Sequence, residues 1–167
     1  MNNTEEGAAS ETTKGDNTLQ FDDTIVINTT KSELWSTISD PEILTECVPG
    51  AENIQRVSKR EYTFQITRGI SHLTVSLDGE VEFVEMNEPD WIIAEGSAYD
   101  PKTGSDIDIL SAMEMEEQDD KTVALTYSTT VSLTGGVASL GNKMVRPIIQ
   151  SDINTYFENI KSVVEDR

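Results

Sequence analysis

The stretch VASLGNKMVRPIIQSDINTYFENIKSVV, residues 137–164, decides the fold. Apolar side chains recur at Val137, Leu140, Met144, Val145, Ile148, Ile149, Ile153, Tyr156, Phe157, Ile160, Val163 and Val164. Most steps are three or four residues, with adjacent pairs widening the stripe, and this spacing predicts an amphipathic helix. At 1.5 Å per residue it would span roughly 42 Å. The pair Gly135-Gly136 supplies the break before it. Pro147 removes the bond to the Lys143 carbonyl and is expected to kink the axis. Such a kink fits a helix to its surroundings or hinges a lid. A long apolar stripe needs a broad surface to lie on, and strands must provide it.

Those strands are legible upstream. Leu19, Phe21, Ile25 and Ile27 share a parity and predict a first strand. Thr30-Lys31-Ser32-Glu33 is a capping box that opens a short helix with Leu34, Trp35 and Ile38 inward. Asp40-Pro41 starts a second short helix, with Asp as N-cap and Pro in the first turn. Its inner face holds Ile43, Leu44, Cys47 and Val48, and Pro49-Gly50 predicts a type II turn. From Asn53 the period becomes two. Tyr62, Phe64 and Ile66 alternate with threonines and Gln65, and Leu73, Val75, Leu77, Val81 and Phe83 alternate with polar residues. Trp91 to Tyr99, Ile107 to Met115 and Val123 to Leu133 continue the pattern. One apolar and one polar face per strand is the mark of an antiparallel sheet wet on one side. The predicted class is α+β: about seven antiparallel strands gripping one long C-terminal helix.

Charge narrows the function classes. The chain of 167 residues carries a net charge of -19, and residues 1–17 form an acidic, polar stretch expected to be disordered. Residues 18–167 then form a single domain with 27 acids against 11 bases. A field of that sign repels phosphate backbones and anionic head groups, which excludes nucleic-acid binding. Scattered acids of this kind read as a solvating coat, and adaptation to high salt is one expectation. Cys47 is the only cysteine, so no intrachain disulfide exists. With no leader-like segment and no run of about 18 apolar residues, a cytoplasmic location is expected, with at most peripheral membrane contact.

Inward parities gather Phe64, Ile66, Leu77, Val81, Ile109, Met113, Leu125 and Tyr127, facing Met144, Ile148 and Tyr156 on the helix. Such a lining suits a flat or greasy ligand, with methionines adapting and tyrosines orienting it. The same residues could equally meet and fill a solid core. Catalytic signals are thin. His72, the sole histidine, lies outside the inward parity of Leu73, Val75 and Leu77 and lacks an evident orienting carboxylate. Cys47, in acidic surroundings on the apolar side of a helix, reads as a small packed hydrophobe. Gly136 to Met144 is not a P-loop, because Asn142 separates Gly141 from Lys143 and Met144 stands where a hydroxyl is required. Asp106 and Asp108, with Asp100 nearby, share an outer face without calcium-loop spacing. No metal ligands are assigned.

Several local strings add a family resemblance. Leu34-Trp35, Asp40-Pro41-Glu42-Ile43-Leu44, Cys47-Val48-Pro49-Gly50, Gly79-Glu80-Val81 and Gly135-Gly136-Val137-Ala138-Ser139-Leu140-Gly141 resemble the CoxG family of carbon monoxide dehydrogenase. That family lies within the polyketide cyclase, START and Bet v 1-like group. The resemblance covers about Leu19 to Ile160 and implies the helix-grip fold, a bent antiparallel sheet around a C-terminal helix with a cavity between. Members accompany molybdenum-containing hydroxylases and are linked to their assembly, membrane attachment or exchange with lipophilic quinones. Three departures stand out. Ser71-His72 replaces a Gly-Pro, the glycine-rich stretch after the fifth strand is reduced to Gly96 and Gly104, and the C-terminal anchoring extension of some members does not follow Arg167. The resemblance thus implies a non-catalytic carrier of a hydrophobic molecule such as a quinone, partnered with a molybdenum-containing dehydrogenase. A cyclase- or dehydratase-like enzyme using Tyr99, Tyr127 or Tyr156, or a solid-cored interaction module, are the alternatives.

Overall fold

Period-two alternation becomes seven strands, and the computed structural model describes them within residues 18–166. The acidic stretch 1–17, expected to be disordered, lies outside those residues. The strands are β1 (Thr18–Ile27), β2 (Ala51–Arg56), β3 (Glu61–Ile70), β4 (Leu73–Asn87), β5 (Trp91–Asp100), β6 (Ser105–Asp119) and β7 (Thr122–Thr134). They form one sheet in the order β1-β7-β6-β5-β4-β3-β2, antiparallel at every pairing. Register shifts between Phe83 and Glu85 and between Glu117 and Asp119 mark bulges, which bend and twist long strands. The chain enters β2 through a turn in which Ala51 N–H donates to Val48 O at 3.1 Å, with Gly50 at φ 80°. That is the type II turn expected of Pro49-Gly50.

Two short helices, α1 (Lys31–Ile38) and α2 (Pro41–Glu46), follow β1. Each cap is made as its sequence dictates. The Thr30 hydroxyl accepts from Glu33 N–H at 3.2 Å and donates to the Glu33 carboxylate at 3.0 Å. Asp40 accepts from Glu42 N–H at 2.9 Å. Leu34, Trp35, Ile38, Leu44 and Cys47 point into the core.

The long helix is shorter than its periodicity suggests. α3 runs Asn142–Glu165, and Ala138–Leu140 forms a separate 3-10 turn. Gly141 divides the two, with φ 86° and ψ 150°, a conformation open essentially only to glycine. Val137 and Leu140 keep the apolar spacing because the 3-10 turn also buries one face. α3 is tied to the sheet along its length. Arg146 donates to Gln20 O at 3.0 Å and stacks 4.7 Å above the Phe21 ring. Asn159 donates to Cys47 O at 2.9 Å, and Glu165 accepts from Asn28 N–H at 2.8 Å. Phe157 lies flat on Tyr127, with ring centroids 4.0 Å apart and planes 8° apart. Phe157, Ile160 and Val164 are buried with Leu77, Phe83, Met113 and Leu125 in one core. This is the helix-grip arrangement.

Candidate functional site

The two faces of the sheet differ in chemistry. The face against α3 follows the rows Tyr62-Val81-Gly96-Ile109-Val131 and Phe64-Gly79-Ala98-Ile107-Leu133, each a set of directly opposed residues. The opposite face carries Glu61-Glu82-Glu95-Leu110 and Gln65-Asp78-Tyr99-Asp106. Two depressions of about 710 and 530 Å³ lie on that outer face, lined by Asp78, Glu80, Asp106 and Asp108 in one and Glu61, Glu82 and Glu95 in the other. They are open and acidic, and unsuited to a greasy ligand. Among the described residues no group of three or more His, Cys, Asp or Glu is placed to hold a metal. Asp100 is not part of the acidic face. It is buried on the inner parity and accepts from Ser76 N–H, Lys102 N–H and Thr103 Oγ1 at 3.1, 2.9 and 3.0 Å. Those bonds, the Ser76 N–H foremost, hold its carboxyl below the usual carboxylate range.

On the inner face, the ten residues expected to line a pocket separate into three environments. Leu77, Met113, Leu125 and Tyr127 are closed off in the core. Phe64, Ile66, Val81 and Ile148 are partly buried. Ile109 and Met144 are 39% and 46% exposed. The open six therefore sit on β3, β4, β6 and the first half of α3, where Val145 is the buried anchor between Asn142 and Tyr156. Two positions the periodicity passed over belong with them. Gly96 and Ala98 on β5 face inward between Val81 and Ile109 and leave room there. A Cβ at Gly96 would meet nothing nearer than Glu80 O at 3.6 Å. At Gly79 the opposite holds: a Cβ would come 2.6 Å from the Phe64 ring, so the ring lies across this glycine as one wall of the cleft.

The polar groups of the cleft were also passed over. Arg68 follows Phe64 and Ile66 on the inner parity of β3, opposite Val75. Asp152 follows Ile148 by one helical turn. They form an ion pair, Nη2 to Oδ1, at 3.0 Å between sheet and helix. Burial pushes the Asp152 carboxyl up, against the pull of the Arg68 charge. Both residues were legible as continuations of the apolar rows, but a search for apolar spacing stops at a charge.

The remaining candidates fall outside the cleft's chemistry. His72 is exposed in the β3–β4 turn. Cys47 is buried, and desolvation pushes its thiol up to about 11, so it packs as a neutral group. Burial raises the Tyr127 and Tyr156 phenols above their ordinary value, which keeps both hydroxyls neutral. Tyr99 stands half-exposed on the acidic outer face. Among the described residues no helix is long and apolar enough to cross a membrane.

The fold has many solved counterparts. A conserved protein from Geobacillus kaustophilus is 20% identical with a TM-score of 0.79, covering 89% of this chain and 96% of that one. The Zhui aromatase/cyclase from Streptomyces sp. R1128 is 9% identical with a TM-score of 0.65, covering 90% and 95%. Truncated norcoclaurine synthase from Thalictrum flavum is 12% identical with a TM-score of 0.60, again covering 90% and 95%. At such identities the likeness establishes the fold alone. No curated protein sequence matches. The pattern of the carbon monoxide dehydrogenase G protein (CoxG) matches residues 24–165, from β1 to the last turn of α3, and the chain belongs to that family.

Proposed function

We propose that the protein is a non-catalytic carrier that holds a hydrophobic small molecule, a quinone or one of similar shape, between α3 and the sheet. In this reading it serves a molybdenum-hydroxylase-type redox enzyme as an accessory, by delivery of the molecule or by help in assembly. One observation carries the reading: apolar side chains left open on the inner face gather around Gly96 and Ala98, beside a helix half that is only partly sunk. A solid core would have closed over Phe64, Ile66, Val81, Ile109, Met144 and Ile148. Contiguous apolar surface of this kind marks a site for a partner or ligand.

A cyclase- or dehydratase-type enzyme in the same cleft is the second reading. Its support is Asp152, a carboxyl raised by burial beside a cationic group, as acid catalysis requires.

Glutamate at Met144 or Ile148 tests the carrier reading. Both side chains are accessible, so the fold should survive, with circular dichroism unchanged. A carboxylate in an apolar cleft should weaken binding of the neutral dye N-phenyl-1-naphthylamine by more than about tenfold. Unchanged dye affinity in folded Met144→Glu and Ile148→Glu would place binding elsewhere and defeat the reading.

A further inference from the structure

We propose that Arg68 is the head-group donor of the cleft, selecting lipophilic ligands that carry a neutral carbonyl-type oxygen, and that Asp152 is its positioning partner. The proposal rests on the inner face being the binding site, and it names the chemistry that site prefers.

Two apolar rows lead to one ion pair. On β3 the row is Phe64, Ile66, Arg68, every second residue of a strand. On α3 it is Met144, Ile148, Asp152, every fourth residue of a helix. Each row passes from open apolar side chains to a charge, and the charges meet at 3.0 Å. The other ion pair among the described residues, Lys31 with Asp90, joins the start of α1 to the β4–β5 turn. Arg68 and Asp152 are each about two-thirds withdrawn from water, at 31% and 36% side-chain exposure. Holding two charges there costs desolvation that an apolar cross-link of equal reach would avoid. A purely mechanical tie between helix and sheet does not require them.

The donor count sets the ligand class. A guanidinium has five N–H groups and no acceptor, and it keeps its proton at any working pH. Asp152 takes the bond from Nη2, so donors remain for a further oxygen. Together the two side chains are neutral. A ketone or quinone oxygen can then accept from Arg68 without bringing an uncompensated charge into the cleft. An anionic head would instead meet the Asp152 carboxylate and the field of a chain of net charge -19. A plain hydrocarbon would leave the unused donors without an acceptor.

Fluorenone, fluorene and fluorene-9-carboxylate share one flat skeleton and separate these cases. Their affinities for the full chain are measured by displacement of N-phenyl-1-naphthylamine. Wild-type protein should prefer fluorenone to fluorene by about tenfold or more, as a charge-assisted hydrogen bond provides. Arg68→Leu, folded by circular dichroism, should keep its affinity for fluorene and lose that preference. Asp152→Asn leaves Arg68 uncompensated and should shift the ranking towards the carboxylate, a change that a merely structural tie would not produce. The proposal is overturned by a preference that persists in Arg68→Leu, by equal wild-type affinity for ketone and hydrocarbon, or by a wild-type preference for the carboxylate. Wild-type protein that binds none of the three overturns the inner-face reading itself, and this proposal with it.

Discussion

Truncating Phe157 to alanine is expected to destabilise the protein by about 3–5 kcal/mol, the usual range for emptying a buried aromatic site. Its ring is almost wholly buried and lies flat on Tyr127 at 4.0 Å, with Tyr156 edge-on at 5.0 Å. Stacked pairs add roughly 0.5–1.5 kcal/mol beyond area, so the loss falls on the main contact between α3 and the sheet. Against a typical total of about 5–15 kcal/mol this is a large share. Ile148, one face of the open half of the same helix, is the comparison. Its replacement by alanine should cost far less, since the side chain is already partly in water. Urea unfolding of both variants measures the contrast. A Phe157→Ala loss under about 1 kcal/mol, outside the range for buried aromatics, would mean that the helix is not gripped where the structure places it.

The second large effect is at Gly135. Its φ is 78°, and a Cβ there would stand 1.6 Å from Gly104 O and 2.4 Å from Gly104 C. The β5–β6 turn and the link from β7 to α3 cross here backbone against backbone. Gly136 N–H donates to Thr103 O at 3.0 Å, and Val137 N–H donates to Ser105 Oγ at 2.9 Å. Gly135→Ala must part the two segments and break these bonds. Left-handed strain of about 1–2 kcal/mol and two lost hydrogen bonds give an expected loss of about 3–5 kcal/mol. Gly69→Ala is the control, because nothing lies within 4 Å of a Cβ at that strand position. It should change stability by less than about 0.5 kcal/mol. Similar melting temperatures for the two variants would contradict the crossing.

Both predictions concern features that the sequence reveals unevenly. Alternation from Tyr62 to Leu133 assigns each side chain to a face, because the strand period of two leaves no freedom once the register is set. Thr30, Asp40 and Pro49-Gly50 state their caps and turn directly, through short-range chemistry that needs no tertiary partner. Gly141 was harder. A single glycine inside an apolar stripe leaves the periodicity intact, and only its backbone angles show that the helix begins after it. The candidate site was half legible for a related reason. Parity places Leu77, Met113 and Tyr127 on the same face as Phe64, Ile66 and Ile109, but openness depends on how far α3 stands from each strand. That distance is set by the Phe157–Tyr127 stack towards one end and the Arg68–Asp152 pair beside the cleft. No local pattern encodes it. Asp100 shows the converse. Placed beside Asp106 and Asp108 in sequence, it points to the other face and closes a turn.

The central claim is that the inner face holds a lipophilic molecule, and native mass spectrometry of freshly purified full-length protein tests it most directly. The account predicts a stoichiometric adduct, released by organic extraction and identifiable as a hydrophobic compound with an acceptor oxygen, or uptake of one added quinone per chain when the protein is isolated empty. A clean apo mass that stays unchanged with added quinones would contradict it and leave a solid-cored interaction module as the better description.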